Sequence, residues 1–205
     1  MSHPILSMTF LINCTNLKSG GGLQVADSVC GQLCRYPQHR FVVVLSKYLR
    51  ATGDRIKDYN NVTIFEYDVK NNFKTVLLGR DDFLDGLVGN LAVQAVLTIF
   101  GPSRWNPRCK HLSGFAMPHL VIPESPFFTE QPFFKRWRWR IRSKILTYFF
   151  WRSTDNFWTE NPYISARLKK LMGGVNLELK NENLDTKEQR RAHVVIAFVE
   201  RRVAA

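Results

Sequence analysis

The chain has 205 residues, with 29 Lys and Arg against 17 Asp and Glu, a formal charge of +12, and 45% hydrophobic and 13% aromatic residues. That apolar content excludes a disordered chain, which could not bury enough surface to offset its conformational entropy. Cys14, Cys30, Cys34 and Cys109 include no C-x-x-C pair, which argues against a zinc site or disulfide framework and for a reduced, cytoplasmic protein.

No run approaches the ~18 apolar residues of a spanning helix. Residues 5–12 have no Lys or Arg before them and no small-residue cleavage site after them, so they read as a strand rather than a signal peptide. The apolar run at 8–13 gives way to Gly20-Gly21-Gly22, after which Leu23, Ala26, Cys30 and Leu33 recur at helical spacing. This is strand, glycine-rich turn, helix. Residues 40–46 contain five consecutive apolar residues, Phe41 to Leu45, the pattern of a parallel strand buried on both faces. A third strand is expected at 62–68, a weak glycine-interrupted helix at 73–90, and a fourth strand at 95–100.

Residues 103–132, rich in Pro, His and aromatics, hold a short strand at 111–116. Residues 133–152 contain neither Gly nor Pro and read as a helix, although the alternation from Arg136 to Arg142 also has strand periodicity. A short strand at 155–159 and a helix opened by Pro162 follow. The last residues, 173–205, carry one apolar run at 194–199, expected to form an edge strand or to pair with another chain. Strands alternating with helices predict an α/β fold, a Rossmann-like doubly wound, mostly parallel sheet over 1–172, with ligands at the carboxyl ends of the strands.

Gly20, Gly21 and Gly22 have two readings, an anion site at a helix N-terminus or a tight turn without ligand. A dinucleotide fingerprint fails because Val25 takes its third glycine position, and no P-loop pattern is present. The glycine turn, Phe100-Gly101-Pro102-Ser103-Arg104-Trp105, the stretch 111–119 and Ile122-Pro123-Glu124 together resemble the N-terminal domain of bacterial family 4 glycosyltransferases, which have the two-domain GT-B fold. Asp155-Asn156-Phe157-Trp158-Thr159-Glu160 continues the resemblance.

The resemblance implies sugar transfer from a nucleotide-sugar donor to a glycan or lipid-linked acceptor, in polysaccharide biosynthesis. It implies that Gly20, Gly21 and Gly22 face the donor phosphates and that His119 is the catalytic histidine beside the transferred sugar. Trp105, His111 and Glu124 would line the acceptor side, with no metal and no cofactor. For His119 the competing reading is a loop histidine packed beside Pro118. Nothing after Leu171 corresponds to the family's donor domain, so the chain is expected to be half of a transferase and inactive alone.

The basic and aromatic stretch adds a second expectation: Trp137, Arg138, Trp139, Arg140 and Arg142 would contact an anionic membrane surface, giving peripheral attachment at the inner membrane. The competing reading packs its stripe of Phe134, Trp137, Ile141, Ile145 and Tyr148 against the sheet. The alternative function class is accordingly a non-catalytic binding module for an anionic membrane or, less favoured, nucleic acid.

Overall fold

A computed structural model describes residues 7–69, 73–122, 124–159 and 161–172. The expected pairing strand at 194–199 lies outside these residues. The first apolar run forms β1 (Thr9–Cys14), which pairs in parallel with β2 (Arg40–Leu45), all of whose apolar residues are buried. Beyond β2 lies β3 (Val62–Glu66). On the other side of β1 come β4 (Ala95–Thr98), β5 (Lys110–Gly114) and β6 (Asn156–Trp158). The sheet is six-stranded and parallel throughout, in the order β3-β2-β1-β4-β5-β6. This is the Rossmann-like, doubly wound α/β architecture that strand–helix alternation predicts.

Because side chains alternate along a strand, β1 feeds two cores. Phe10, Ile12 and Cys14 join Phe41, Val43, Leu45 and Leu97 beneath α1 (Gly21–Gly31) and α2 (Arg50–Ile56), which contribute Ala26, Val29, Cys30 and Ile56. Leu11 points the other way and joins Val42, Val44, Val96 and Trp105 beneath Leu84 of α3 (Asp82–Asn90). After the short α4 (Pro126–Thr129), α5 (Phe133–Ser153) and α6 (Pro162–Met172) close the β6 edge through Phe150, Ile164 and Leu168, packed with Phe115 and Phe157.

Two elements differ from the sequence reading. The helix α2 was not expected, since a seven-residue segment carrying Thr52, Gly53 and Asp54 has little helical periodicity of its own. It is held from outside: Thr52 Oγ1 donates to Asp27 Oδ1 at 2.7 Å, and Arg55 pairs with the same carboxylate. The weak helix expected over 73–90 is broken in two. A single wide turn, Lys74–Leu78, ends at Gly79 with φ 70°, and α3 restarts behind Asp81, whose side chain caps Leu84 N–H at 3.1 Å.

Gly114 at the end of β5 is set by space, because a Cβ there would collide with the Ile99 carbonyl and sit 2.9 Å from the Trp158 ring. Gly86, inside α3, would meet nothing within 4 Å. Gly114→Ala should therefore lose roughly 1–3 kcal/mol or more in urea denaturation. Gly86→Ala should gain up to about 1 kcal/mol; equal effects at the two sites would contradict this packing.

Candidate functional site

The strand order reverses at β1, so the connections leaving β1 and β4 run to opposite faces and open a crevice at the carboxyl end of the sheet. The crevice measures about 720 Å³ and is lined by Gly21, Gly22, Gln24 and Val25 of α1, by Phe100, Phe115, Ala116 and Pro118, and by Ile122, Thr159, Asn161, Tyr163 and Ile164. That volume lies in the usual range of small-molecule sites. None of these lining residues carries a charged side chain.

The three glycines have separate reasons to be glycine. Gly20 caps α1 with φ 72°, a left-handed conformation that glycine adopts without strain. At Gly22 a Cβ would press on Leu17 Cδ2 at 3.2 Å and approach Phe100 Cδ2 at 3.5 Å. Gly21 has no positive φ and no neighbour within 4 Å of an added Cβ, yet it lines the crevice. No side chain caps α1 and its first turn holds no acid, so its leading amides are directed at the crevice without a competing carboxylate. A second helix starts at the same place: α6 begins at Pro162, and Asn161, Tyr163 and Ile164 line the opposite wall. Asn161 Oδ1 accepts the Tyr163 N–H at 2.9 Å and orders that first turn. The sequence reading placed this helix start at Pro162 but gave it no part in a site, because a strand followed by Asn161-Pro162 signals a helix start without signalling a ligand.

The other residues singled out from sequence are not brought together here. Trp105 is 1% exposed in the α3-side core, where its indole N–H donates to Asp85 Oδ1 at 3.0 Å. His119 sits on the Pro118–Leu120 turn, but its ring lies edge-on to Trp139 at 6.0 Å and lines a second groove against α5. Burial, reinforced by Arg142, lowers its pKa. Glu124 pairs with Arg167 of α6, which also donates to the Val121 carbonyl at 3.2 Å, bracing the loop against the helix. Arg167 holds the Glu124 carboxyl below its ordinary range.

His111 is a buried structural histidine on β5, shut off from the crevice. It belongs to a polar chain that crosses the sheet. Asn13 Nδ2 donates to Thr98 Oγ1 at 3.2 Å, Thr98 lies 2.8 Å from His111 Nε2, and His111 Nδ1 meets the Ser153 carbonyl at the end of α5. A carbonyl only accepts, so Nδ1 carries the proton, Nε2 accepts from the Thr98 hydroxyl, and the ring is neutral. Burial agrees with this, pushing the His111 pKa down to about 4.

The basic stretch forms the 21-residue α5, but its expected stripe does not pack on the sheet. Phe134, Trp137, Ile141, Ile145 and Tyr148 are all exposed, and only Phe149, Phe150 and Ser153 are buried. Trp139 turns inward to His119 with Arg142 stacked over its ring at 5.0 Å, while Trp137, Arg138 and Arg140 face solvent. The five residues expected to touch a membrane therefore do not share one face. No helix among the described residues is long and apolar enough to cross a membrane.

No protein-family model matches the chain, and no curated protein matches it. Two solved structures similar to it are a dodecameric FMN-dependent UbiX-like decarboxylase from Escherichia coli O157:H7, at 12% identity and TM-score 0.37, and HAL3 from Cryptococcus neoformans, at 11% identity and TM-score 0.41. The first match covers 97% of this chain and 95% of that one; the second covers 97% and 98%. At these values the likeness assigns no ligand or activity to this chain. Neither structure is a glycosyltransferase, and the expectation of a family 4, GT-B half-domain acting in polysaccharide biosynthesis is overturned. The partners expected with it are withdrawn on the same finding: nucleotide-sugar donor, glycan or lipid-linked acceptor, and the anionic membrane or nucleic acid of the alternative binding module.

The buried His111 gives a pH signature. Its folded pKa of about 4 lies below the ordinary 6.5, so the unfolded chain binds the extra proton between those values. Stability is full above pH 6.5 and should fall on acidification toward pH 4, by on the order of 1.4 kcal/mol for each pH unit inside that window. Urea midpoints at pH 7 and 5 should show a smaller drop in His111→Asn than in the unaltered chain; an equal drop would refute the assignment.

Proposed function

We propose that this chain is a small-molecule-binding α/β domain whose crevice takes a ring-bearing anion, a carboxylate or phosphate monoester on an aromatic or heteroaromatic body. The observation that carries the reading is the convergence of two helix N-termini, those of α1 and α6, on one crevice of ligand size.

Each N-terminus is equivalent to about half a positive charge, so the two together balance roughly one negative charge. With no cationic side chain among the described lining residues, a diphosphate would be left largely uncompensated by them, whereas a single anionic group is matched. Gly20, Gly21 and Gly22 let the backbone amides of α1 approach that group, as at other anion-binding helix starts. Phe100, Phe115 and Tyr163 supply ring faces for the rest of the ligand, and Gln24, Thr159 and Asn161 supply polar groups that would orient it. The side chains present fit binding; among the described lining residues there is no carboxylate, imidazole, amine or thiol.

A reducing, cytoplasmic setting goes with this reading. Cys14 and Cys30 are buried, and the hydrogen bond to Cys30, together with burial, raises the Cys14 pKa. A thiol raised in this way stays protonated and inert.

Gly21→Asp tests the proposal with opposite signs. An acid in the first turn of α1 should hold or raise stability by about 0.3–1 kcal/mol, since it complements the helix dipole and meets open space. The same carboxylate would occupy and repel the anion position. Titration calorimetry against a panel including phenyl phosphate and indole-3-carboxylate should find ligands whose affinity falls roughly tenfold or more in the variant, equivalent to ~1.4 kcal/mol, and inorganic pyrophosphate should not outcompete them. No panel member binding the unaltered chain, or equal binding by Gly21→Asp, would overturn the reading.

A further inference from the structure

The groove between the Pro118–Leu120 turn and α5 is separate from the crevice, since Pro118 lines one and His119 the other. We infer that this groove binds one molecule of a single-chain anionic amphiphile, an alkyl phosphate or a fatty carboxylate. It encloses about 490 Å³, and its lining runs in two parallel rows along α5.

One row is cationic. Arg136, Arg140 and Lys144 are each four residues apart and therefore stack along one edge of the helix. Among the described residues neither Arg140 nor Lys144 has an acidic partner, and α5 itself, FFKRWRWRIRSKILTYFFWRS, contains no Asp or Glu. The other row is apolar. Trp137 and Ile141, 55% and 41% exposed, sit one residue further round the helix and face Leu120 across the groove. The apolar row continues past the groove through Ile145 and Tyr148, both half exposed.

A second observation lies at the groove: Ser143 lines it, and its hydroxyl oxygen is shut from solvent with no hydrogen-bond partner among the described residues. A buried hydroxyl left without a partner is what a missing acceptor leaves behind. Apolar surface alone would suit a neutral ligand, and cations alone would suit free phosphate. The two rows side by side, with an unused donor between them, match a molecule with an anionic head and an alkyl chain. Burying each methylene of such a chain adds favourable transfer energy that inorganic phosphate lacks.

Titration calorimetry with dodecyl phosphate, kept below its micellar concentration, tests the site. We expect saturable binding at one molecule per chain, at least a hundredfold tighter than inorganic phosphate, and none to dodecyltrimethylammonium. Arg136→Gln/Arg140→Gln/Lys144→Gln and, separately, Ile141→Asp should each weaken it tenfold or more, with melting temperatures held because Arg140, Ile141 and Lys144 are exposed and Arg136 is only partly buried. If either variant melts early, Lys144→Gln with Ser143→Val gives the same comparison with fewer changes. Gly21→Asp should bind dodecyl phosphate normally, so loss of the crevice reading leaves this one standing. Binding unaffected by the variants, many molecules per chain, equal affinity for inorganic phosphate, or binding only to phosphatidylglycerol vesicles would overturn it.

Discussion

The sheet's strand order is the constraint on which the rest of the molecule depends. A right-handed crossover from β1 to β2 and another from β1's other neighbour outward must lie on opposite faces, so the chain separates at β1 and β4. The polar chain Asn13–Thr98–His111–Ser153 runs across β1, β4 and β5 to the end of α5. Every member has a donor or acceptor role that its neighbour requires, and such fully satisfied networks rigidify a buried region. The crevice rim is thus carried by strands that are tied to each other and to α5, and both grooves inherit their walls from that frame.

The Pro118–Leu120 turn connects the two sites. Its proline forms a wall of the crevice and its histidine a wall of the α5 groove. Arg167 fixes the following loop by pairing with Glu124 and donating to Val121, so α6 holds the turn in place from the crevice side. A ligand in the crevice bears on Pro118 and one in the groove on His119 and Leu120, which gives two physically distinct sites one shared turn.

The parts legible in the sequence were those whose signal is local. Five buried residues in a row announced β2, and a glycine run between an apolar strand and a periodic segment announced the start of α1. The segment α2 was hidden because its helicity comes from Asp27 on another helix, and the Asp81 cap was hidden because residues 73–90 have a continuous weak period. Trp105 and His111 were placed at a cleft by the family resemblance alone. Their partners Asp85, Thr98 and Ser153, all remote in sequence, make them core. The stripe on α5 had the right spacing for packing, but only the last turn meets the sheet. The family resemblance rested on a glycine turn and an ordered set of short motifs, and strand–glycine–helix turns recur on α/β folds of unrelated function.

The central claim is that the amides opening α1 and α6 act on one anion. Amide chemical shifts of the ¹⁵N-labelled chain during titration with phenyl phosphate measure it directly. The account predicts that the Gly21, Gly22 and Ile164 amides shift together along one saturating curve, while Trp105 and His111 amides stay fixed. Shifts confined to α5, or movement at Gly21 and Gly22 with none at Ile164, would contradict it.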